Sequence, residues 1–316
     1  MKKTALVLFI VLSVFATFGC GQKPSATHDN EANFCSVTDS AKRTVTLPKK
    51  PERIVVVSAS FLEPLYAVDG EVVGRPSSKT KLPEKAAAAA DIGPVYQIDT
   101  EKLLACRPDL VVINKGMNER LLDLLTTNNI PAAVIEMKGY DDVKKELAIF
   151  GAFTGHPEKA AAIAADMDAQ IKTIADKMPK EPKRVAVLHS TAQGLSVQLD
   201  GSIAGNILKL LGQTNVAADM PALDGKPDTA PYSLETLIEQ NPEIIFVTSM
   251  GNIDDIKRNM EKTIAENPAW QTIPAVQNNR LYYLPQDMFL LSPGIHYPEA
   301  VQMVSKLLYP AEFPDE

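Results

Sequence analysis

The chain has 316 residues, 45% of them hydrophobic and 22% charged, with a formal net charge of −7 at pH 7. That length is enough for two modest domains with real cores. The acidic balance and the lack of any basic run argue against nucleic acid as a partner.

A targeting signal opens the chain. Lys2 and Lys3 precede an apolar run from Thr4 to Phe18, followed by Gly19-Cys20. A charged start, a short hydrophobic stretch and a small residue before a break are the parts of a secretory signal over residues 1–19. No later segment has the run of about 18 apolar residues that a membrane helix needs. The TFGC sequence resembles a bacterial lipoprotein signal, which implies a lipid on Cys20 and a place in the cell envelope outside the cytoplasm. Without the first 19 residues, which carry Lys2 and Lys3, 297 residues remain and the charge falls by two to −9. Residues 20–39 are mostly polar, without periodicity, and read as a tether. Cys35 and Cys106 are left as a pair that could bridge or stay free.

Residues 40–156 alternate strand and helix patterns. Val45 and Leu47 suggest an edge strand or hairpin, and Ile54 to Val57 a strand buried on both faces. FLEPLYAVD is helical in pattern and EVVGRP a short strand. The stretch from Ser77 to Asp99 is polar, then alanine-rich, with Gly93-Pro94 near its end. DTEKLLACR leads through Pro108 into the apolar LVVIN, and NERLLDLLTTNN precedes PAAVIEM. DDVKKELAIFGAFTG is a further helix.

Residues 157–178 read as one long helix, with Ile163, Met167, Ile171, Ile174 and Met178 on a single stripe. Pro157 is tolerated in its first turn, and Pro179 with Pro182 stops it. Residues 179–316 then restart the alternation: KRVAVLH and GLSVQLD as strands, a helix up to Gly212, and a proline-bearing loop from Pro221 to Pro231. SLETLIEQ runs through Pro242 into EIIFVTS, DDIKRNMEKTIAEN precedes the short strand LYYL, and YPEAVQMVSKLLYP closes the chain as a helix. Strands alternating with helices imply βαβ units and mostly parallel sheets.

Residues 99–116 set beside 233–250 share a helix–proline–acid–strand pattern at an offset of 134, matching Glu101 with Glu235 and Pro108 with Pro242. The expected fold is therefore α/β: two Rossmann-like lobes of similar build joined by a single long helix. One stiff crossing predicts little lobe closure.

ERIVVVS, EKLLACRPDLVV, the long helix, KRVAVLH and NPEIIFV together resemble the Fe/B12-type substrate-binding proteins of bacterial ABC importers, over residues 40–312. The resemblance implies capture of haem, a ferric siderophore or a corrinoid such as cobalamin, and delivery to an ABC permease dimer with its ATPase. It also implies that Glu101 and Glu235 dock onto permease arginines. Symmetric carboxylates meeting two basic pockets would give orientation and on-rate; first-turn glutamates are equally at home on a helix dipole.

The segment around TKLPEKAAAAADIGPVYQIDTEKL is similar to its counterpart in the haem-receptor lipoprotein of the iron-regulated surface determinant system, where a methionine matching Tyr96 holds the iron. A Tyr96 phenolate is a hard donor suited to ferric haem. On the second lobe the candidates are Met250, which stands where that receptor has a histidine, His189 at a strand end, and His296 in SPGIHYPEA. No permanent cofactor is expected. The four scattered histidines do not make a closed metal site. No hydrolase, P-loop or zincin motif points to an enzyme, and a metallocluster enzyme would need more cysteines than remain.

Overall fold

The computed structural model describes residues 33–78, 82–191 and 193–314. The signal sequence, Cys20 and most of the expected tether lie outside them. Among the described residues no helix is long and apolar enough to cross a membrane.

An antiparallel hairpin of β1 (Cys35–Thr38) and β2 (Thr44–Leu47) comes first. This corrects the tether, which was expected to run through residue 39. Alternation supplies the reason: Cys35 and Val37 pack inward beside Val45 and Leu47 on one apolar face. Asp39 locks the turn and fastens it to the lobe. Its carboxylate accepts from the Ala41 and Arg43 amides, from the Arg43 guanidinium at 2.7 Å and from the Val134 amide at 3.0 Å.

The first lobe is a fully parallel five-stranded sheet made of β3 (Ile54–Val56), β4 (Val72–Ser77), β5 (Ala90–Pro94), β6 (Leu110–Asn114) and β7 (Ala132–Ile135). Its strand order is β5-β4-β3-β6-β7. Helices α1 (Leu62–Ala67), α2 (Thr100–Ala105), α3 (Leu122–Thr127) and α4 (Tyr140–Thr154) complete it. The edge strand β5 was not legible in the sequence, because Ala, Gly and Pro carry little strand propensity and only pairing with β4 fixes it.

Helix α5 (Pro157–Ala175) leads to the second lobe. It ends short of the expected Met178: the chain turns at Lys177 and Met178, bonded to Ile174 and Ala175, ahead of Pro179. Its buried stripe is Ala160, Met167, Ile171 and Ile174, and each large side chain contributes about 1.5–3 kcal/mol of transfer free energy.

The second sheet contains β8 (Arg184–Thr191), β9 (Gly194–Gln198), β10 (Thr214–Asn215), β11 (Thr229–Pro231), β12 (Ile244–Ser249) and β13 (Leu281–Tyr283). Its order is β11-β9-β8-β12-β13, with β10 on β8. β8, β10, β12 and β13 are parallel, β9 runs antiparallel to β8, and β11 pairs antiparallel to β9. Its helices are α6 (Ile203–Leu210), α7 (Leu234–Gln240), α8 (Ile253–Glu266), α9 (Pro274–Gln277), α10 (Gln286–Phe289) and α11 (Tyr297–Leu308). Cys35 and Cys106 are both free; the Cys106 thiol is buried beside the Val73 carbonyl.

α5 is the covalent crossing, but packing joins the lobes as well. One core cluster takes Val56 and Val112 from the first sheet, Val187 and Phe246 from the second, and Val301 and Val304 from α11. Asn206 of α6 accepts from the Tyr140 amide at 3.0 Å and from the Tyr297 hydroxyl at 2.7 Å. Such a shared, close-packed core resists wide opening.

Candidate functional site

In an open, doubly wound sheet the strand order reverses at one point, and the loops that diverge there leave a crevice outside the carboxyl ends of the strands. In the first lobe that point lies between β3 and β6, and the residues following those strands, Ser58 and Lys115, line a cleft of about 600 Å³. Lys138 after β7, Ile203 at the start of α6, Asp228 before β11 and Leu291 after α10 line it too. Both lobes therefore contribute walls.

Four large apolar or aromatic side chains stand exposed among the described residues: Phe34, Tyr96, Met117 and Met250. Three of them follow the carboxyl end of a parallel strand, β5, β6 and β12 respectively.

Tyr96 is 67% exposed. Its loop is fixed from below: Asn118 Nδ2 donates to the Val95 carbonyl at 2.7 Å, and Arg120 Nη2 donates to the Tyr96 carbonyl at 3.0 Å. Asp91 braces the same loop through Ser77 at 2.6 Å and the Gly93 amide at 2.9 Å. Val95 lines the cleft, and Tyr96 follows it on a held backbone.

Met250 is 53% exposed just beyond β12, with its amide bonded to the Ser190 carbonyl. His189 lies on the neighbouring strand β8, opposite Thr248. Its Nδ1 is 3.0 Å from Thr248 Oγ1, which donates its own proton to the Leu188 carbonyl at 3.2 Å. With Thr248 donating to that carbonyl, Nδ1 is the protonated nitrogen that suits the contact, and Nε2 is then the acceptor. Burial lowers the imidazole's pKa, with Asp228 opposing and Lys226 adding to that effect, so the ring is neutral and both cleft residues lie within electrostatic reach.

His296 is placed differently. Nε2 is 2.9 Å from Glu63 on α1 and Nδ1 is 3.0 Å from Glu299 on α11, so both nitrogens are engaged. It lines a smaller crevice of about 250 Å³ on the boundary between the lobes, with Glu63 and Asp287. Glu101 and Glu235 are exposed in the first turns of α2 and α7, after the caps Asp99 and Ser233.

The cleft also holds residues that sequence reasoning missed. Met117, 49% exposed, follows Gly116 just after β6. Its signal was the apolar strand ending in KGM, one register from the SMG that follows β12. Lys115 and Glu136 pair at 2.7 Å, and Lys138 and Asp228 at 2.9 Å. Lys226 lines the same wall. Among the described residues no group of three or more His, Cys, Asp or Glu side chains could hold a metal ion. The lysines of the wall can partner anionic groups.

The sequence profile of the family described as periplasmic binding protein matches residues 54–288. Curated relatives include an uncharacterised ABC transporter substrate-binding lipoprotein, YvrC of Bacillus subtilis, 24% identical with 99% of both chains covered. The iron-uptake system-binding protein of the same organism is 26% identical, over 89% of this chain and 90% of its own. The high-affinity heme uptake system protein IsdE of Staphylococcus aureus is 21% identical, over 98% and 99%. Among solved structures, an ABC transporter substrate-binding protein from Listeria monocytogenes superposes with a TM-score of 0.74 at 25% identity, covering 83% of this chain and 100% of its own. S. aureus IsdE complexed with heme gives 0.72 at 21%, covering 81% and 98%. S. aureus SirA complexed with staphyloferrin B gives 0.71 at 20%, covering 87% and 98%.

Proposed function

The chain belongs to the periplasmic binding protein family, and on that premise we propose that it captures an iron complex, haem first, and hands it to an ABC permease. The supporting observation is the cleft itself: exposed Met117 lines it with Lys115, Lys138 and Lys226, and exposed Tyr96 and Met250 follow the ends of β5 and β12. A flat, largely apolar cargo with an iron centre and anionic edges matches that lining. Relatives named for heme uptake and iron uptake favour the same class. Such a protein is a carrier, not an enzyme.

Tyr96 is the proposed donor to ferric iron, on a loop braced against movement. On the other lobe Met250 follows β12 and His189 lies near the end of the adjoining β8; these are the proposed second donors. His296 becomes available only if its two carboxylate contacts break. Cys20, in the TFGC sequence, is the proposed lipid attachment, holding the carrier at the membrane outside the cytoplasm.

A visible absorption titration of the purified protein with ferric haem tests the proposal. A saturable Soret shift that is lost in Tyr96→Ala supports it; no saturable shift overturns it. Met250→Ala and His189→Ala then identify the second donor by which one alters the spectrum of the complex.

A ferric siderophore is the second reading, favoured by Lys115, Lys138 and Lys226 in the cleft wall. Corrinoid binding is less well served. Phe61 is the cleft's one aromatic lining residue among those described, and Trp270 is buried in the second lobe, stacked on Tyr232.

A further inference from the structure

We propose that Lys226 and Lys138 form a carboxylate-reading edge of the cleft, with Asp228 occupying Lys138 until a cargo carboxylate replaces it. The proposal rests on the haem reading and adds a requirement to it: the iron complex must carry at least two carboxylates on one edge.

The six charged lining residues are Lys115, Lys138, Lys226, Glu119, Glu136 and Asp228. Their formal charges cancel, so no net field draws an anion in. What matters is which cation is available. Lys115 is held by Glu136, and Lys138 by Asp228. Lys226 enters none of the ion pairs formed among the described residues, and it is exposed.

Lys226 is nevertheless well placed. Its amide donates to the Leu223 carbonyl at 2.9 Å, and its carbonyl accepts from the Thr229 amide at 3.1 Å. Gly225, at φ 70°, lets the chain make this turn at little steric cost. The turn leads directly to Asp228, whose Oδ2 takes the Lys138 ammonium across the boundary between the lobes. The side chains in that pair are 43% and 24% exposed, so it is weak and readily exchanged. Exchanging one carboxylate for another on Lys138 costs little, because one charge-assisted hydrogen bond replaces its equal.

One carboxylate on Lys226 and one on Lys138 would be held by opposite lobes. A cargo with two neighbouring carboxylates, such as the propionates of haem, would thereby span the boundary. A cargo without them would leave Asp228 in place and gain nothing from Lys226.

The experiment compares ferric haem with its dimethyl ester, titrated by absorption into the wild-type protein, Lys226→Met and Asp228→Asn, with thermal melting to confirm that each is folded. The wild type is expected to bind haem about tenfold or more tightly than the ester, and Lys226→Met to lose that preference. Asp228→Asn, which removes the competitor, should tighten haem and leave the ester unchanged. Equal binding of haem and ester by the wild type, or an unchanged preference in Lys226→Met, overturns the lysine edge while leaving the haem reading intact. No absorbance change with either porphyrin overturns the haem reading instead. Ferric citrate, a carboxylate complex without the macrocycle, then decides the source: calorimetric binding lost in Lys226→Met supports the edge with a chelate as cargo, and its absence overturns the edge.

Discussion

Arg53 and Arg184 make the same contact in the two halves of the molecule. Arg53 donates through Nε and Nη2 to the carbonyl of Cys106, at 3.0 and 2.6 Å, where α2 ends; Arg184 donates through Nε and Nη2 to the carbonyl of Gln240, at 3.2 and 2.5 Å, where α7 ends. The acid after the following proline answers in both. Asp109 accepts from the Arg53 amide at 2.8 Å and Glu243 from the Arg184 amide at 3.2 Å. The residue before each proline, Arg107 or Asn241, has the same left-handed φ of 48°. The repeat at an offset of 134 is thus a structural device that fastens a helix end to the first strand of each lobe.

Its loss should cost stability without touching the cleft. Arg53→Ala and Arg184→Ala are each expected to lower unfolding free energy by about 1–2 kcal/mol, since a charged donor is removed from a helix's last carbonyl. Urea denaturation measures this. An equal loss of ligand affinity in a folded variant would contradict a purely structural role.

The same symmetry bears on docking. Glu101 and Glu235 project exposed from the first turns of the two fastened helices. Glu101→Ala with Glu235→Ala is expected to abolish transport, roughly an order of magnitude per lost charge in association with the permease. Ligand affinity should be unchanged. Normal uptake by the double variant would remove both residues from the interface.

His296 sets a pH dependence. Burial lowers its pKa, but the hydrogen bond it donates to Glu299 and the charges of Glu63 and Glu299 outweigh burial and raise it. A raised folded value means the latch to Glu63 contributes fully below the unfolded value of about 6.5 and fades as pH rises through the raised one. Relative to His296→Gln, the wild type should lose about 1–2 °C of melting temperature between slightly acidic and slightly basic pH, a small effect because the pair is half exposed. Parallel melting curves across that range would rule the latch out.

Glu146 should act against stability. It is fully buried in α4, and neither carboxylate oxygen has a protein partner among the described residues. Burial, with Asp142 adding to it, raises its pKa well above the usual carboxylate range. The folded state therefore holds a proton that the unfolded chain releases above about pH 4.3, and stability falls as pH rises from there toward the folded value. Glu146→Leu is expected to gain about 1–3 kcal/mol near neutral pH, with the gain shrinking as pH falls toward 4. Denaturation at the two pH values reads the difference directly.

Much of this was legible in the chain. Continuous apolar, β-branched runs such as Ile54–Val57 and Ile244–Val247, set off by prolines, read as strands buried on both faces, and the 3.6-residue stripe of α5 marked the linking helix to within a turn. The periodicity of the burial pattern is a local property, so local sequence carries it. β5, β10 and β11 were not legible, because two to five residues rich in Ala, Gly, Asn, Thr and Pro become strands only by pairing with neighbours already in place.

For the site, the sequence by itself put forward Tyr96, Met250, His189 and His296 as candidate donors. Tertiary structure alone decided the electrostatics around them. Lys138 and Asp228 are 90 residues apart and meet only because α5 folds the second lobe back against the first. His296 likewise finds Glu63 across the same boundary. Side-chain chemistry is written in the sequence, but which charge neutralises which depends on distances of a few ångströms between segments far apart in the chain.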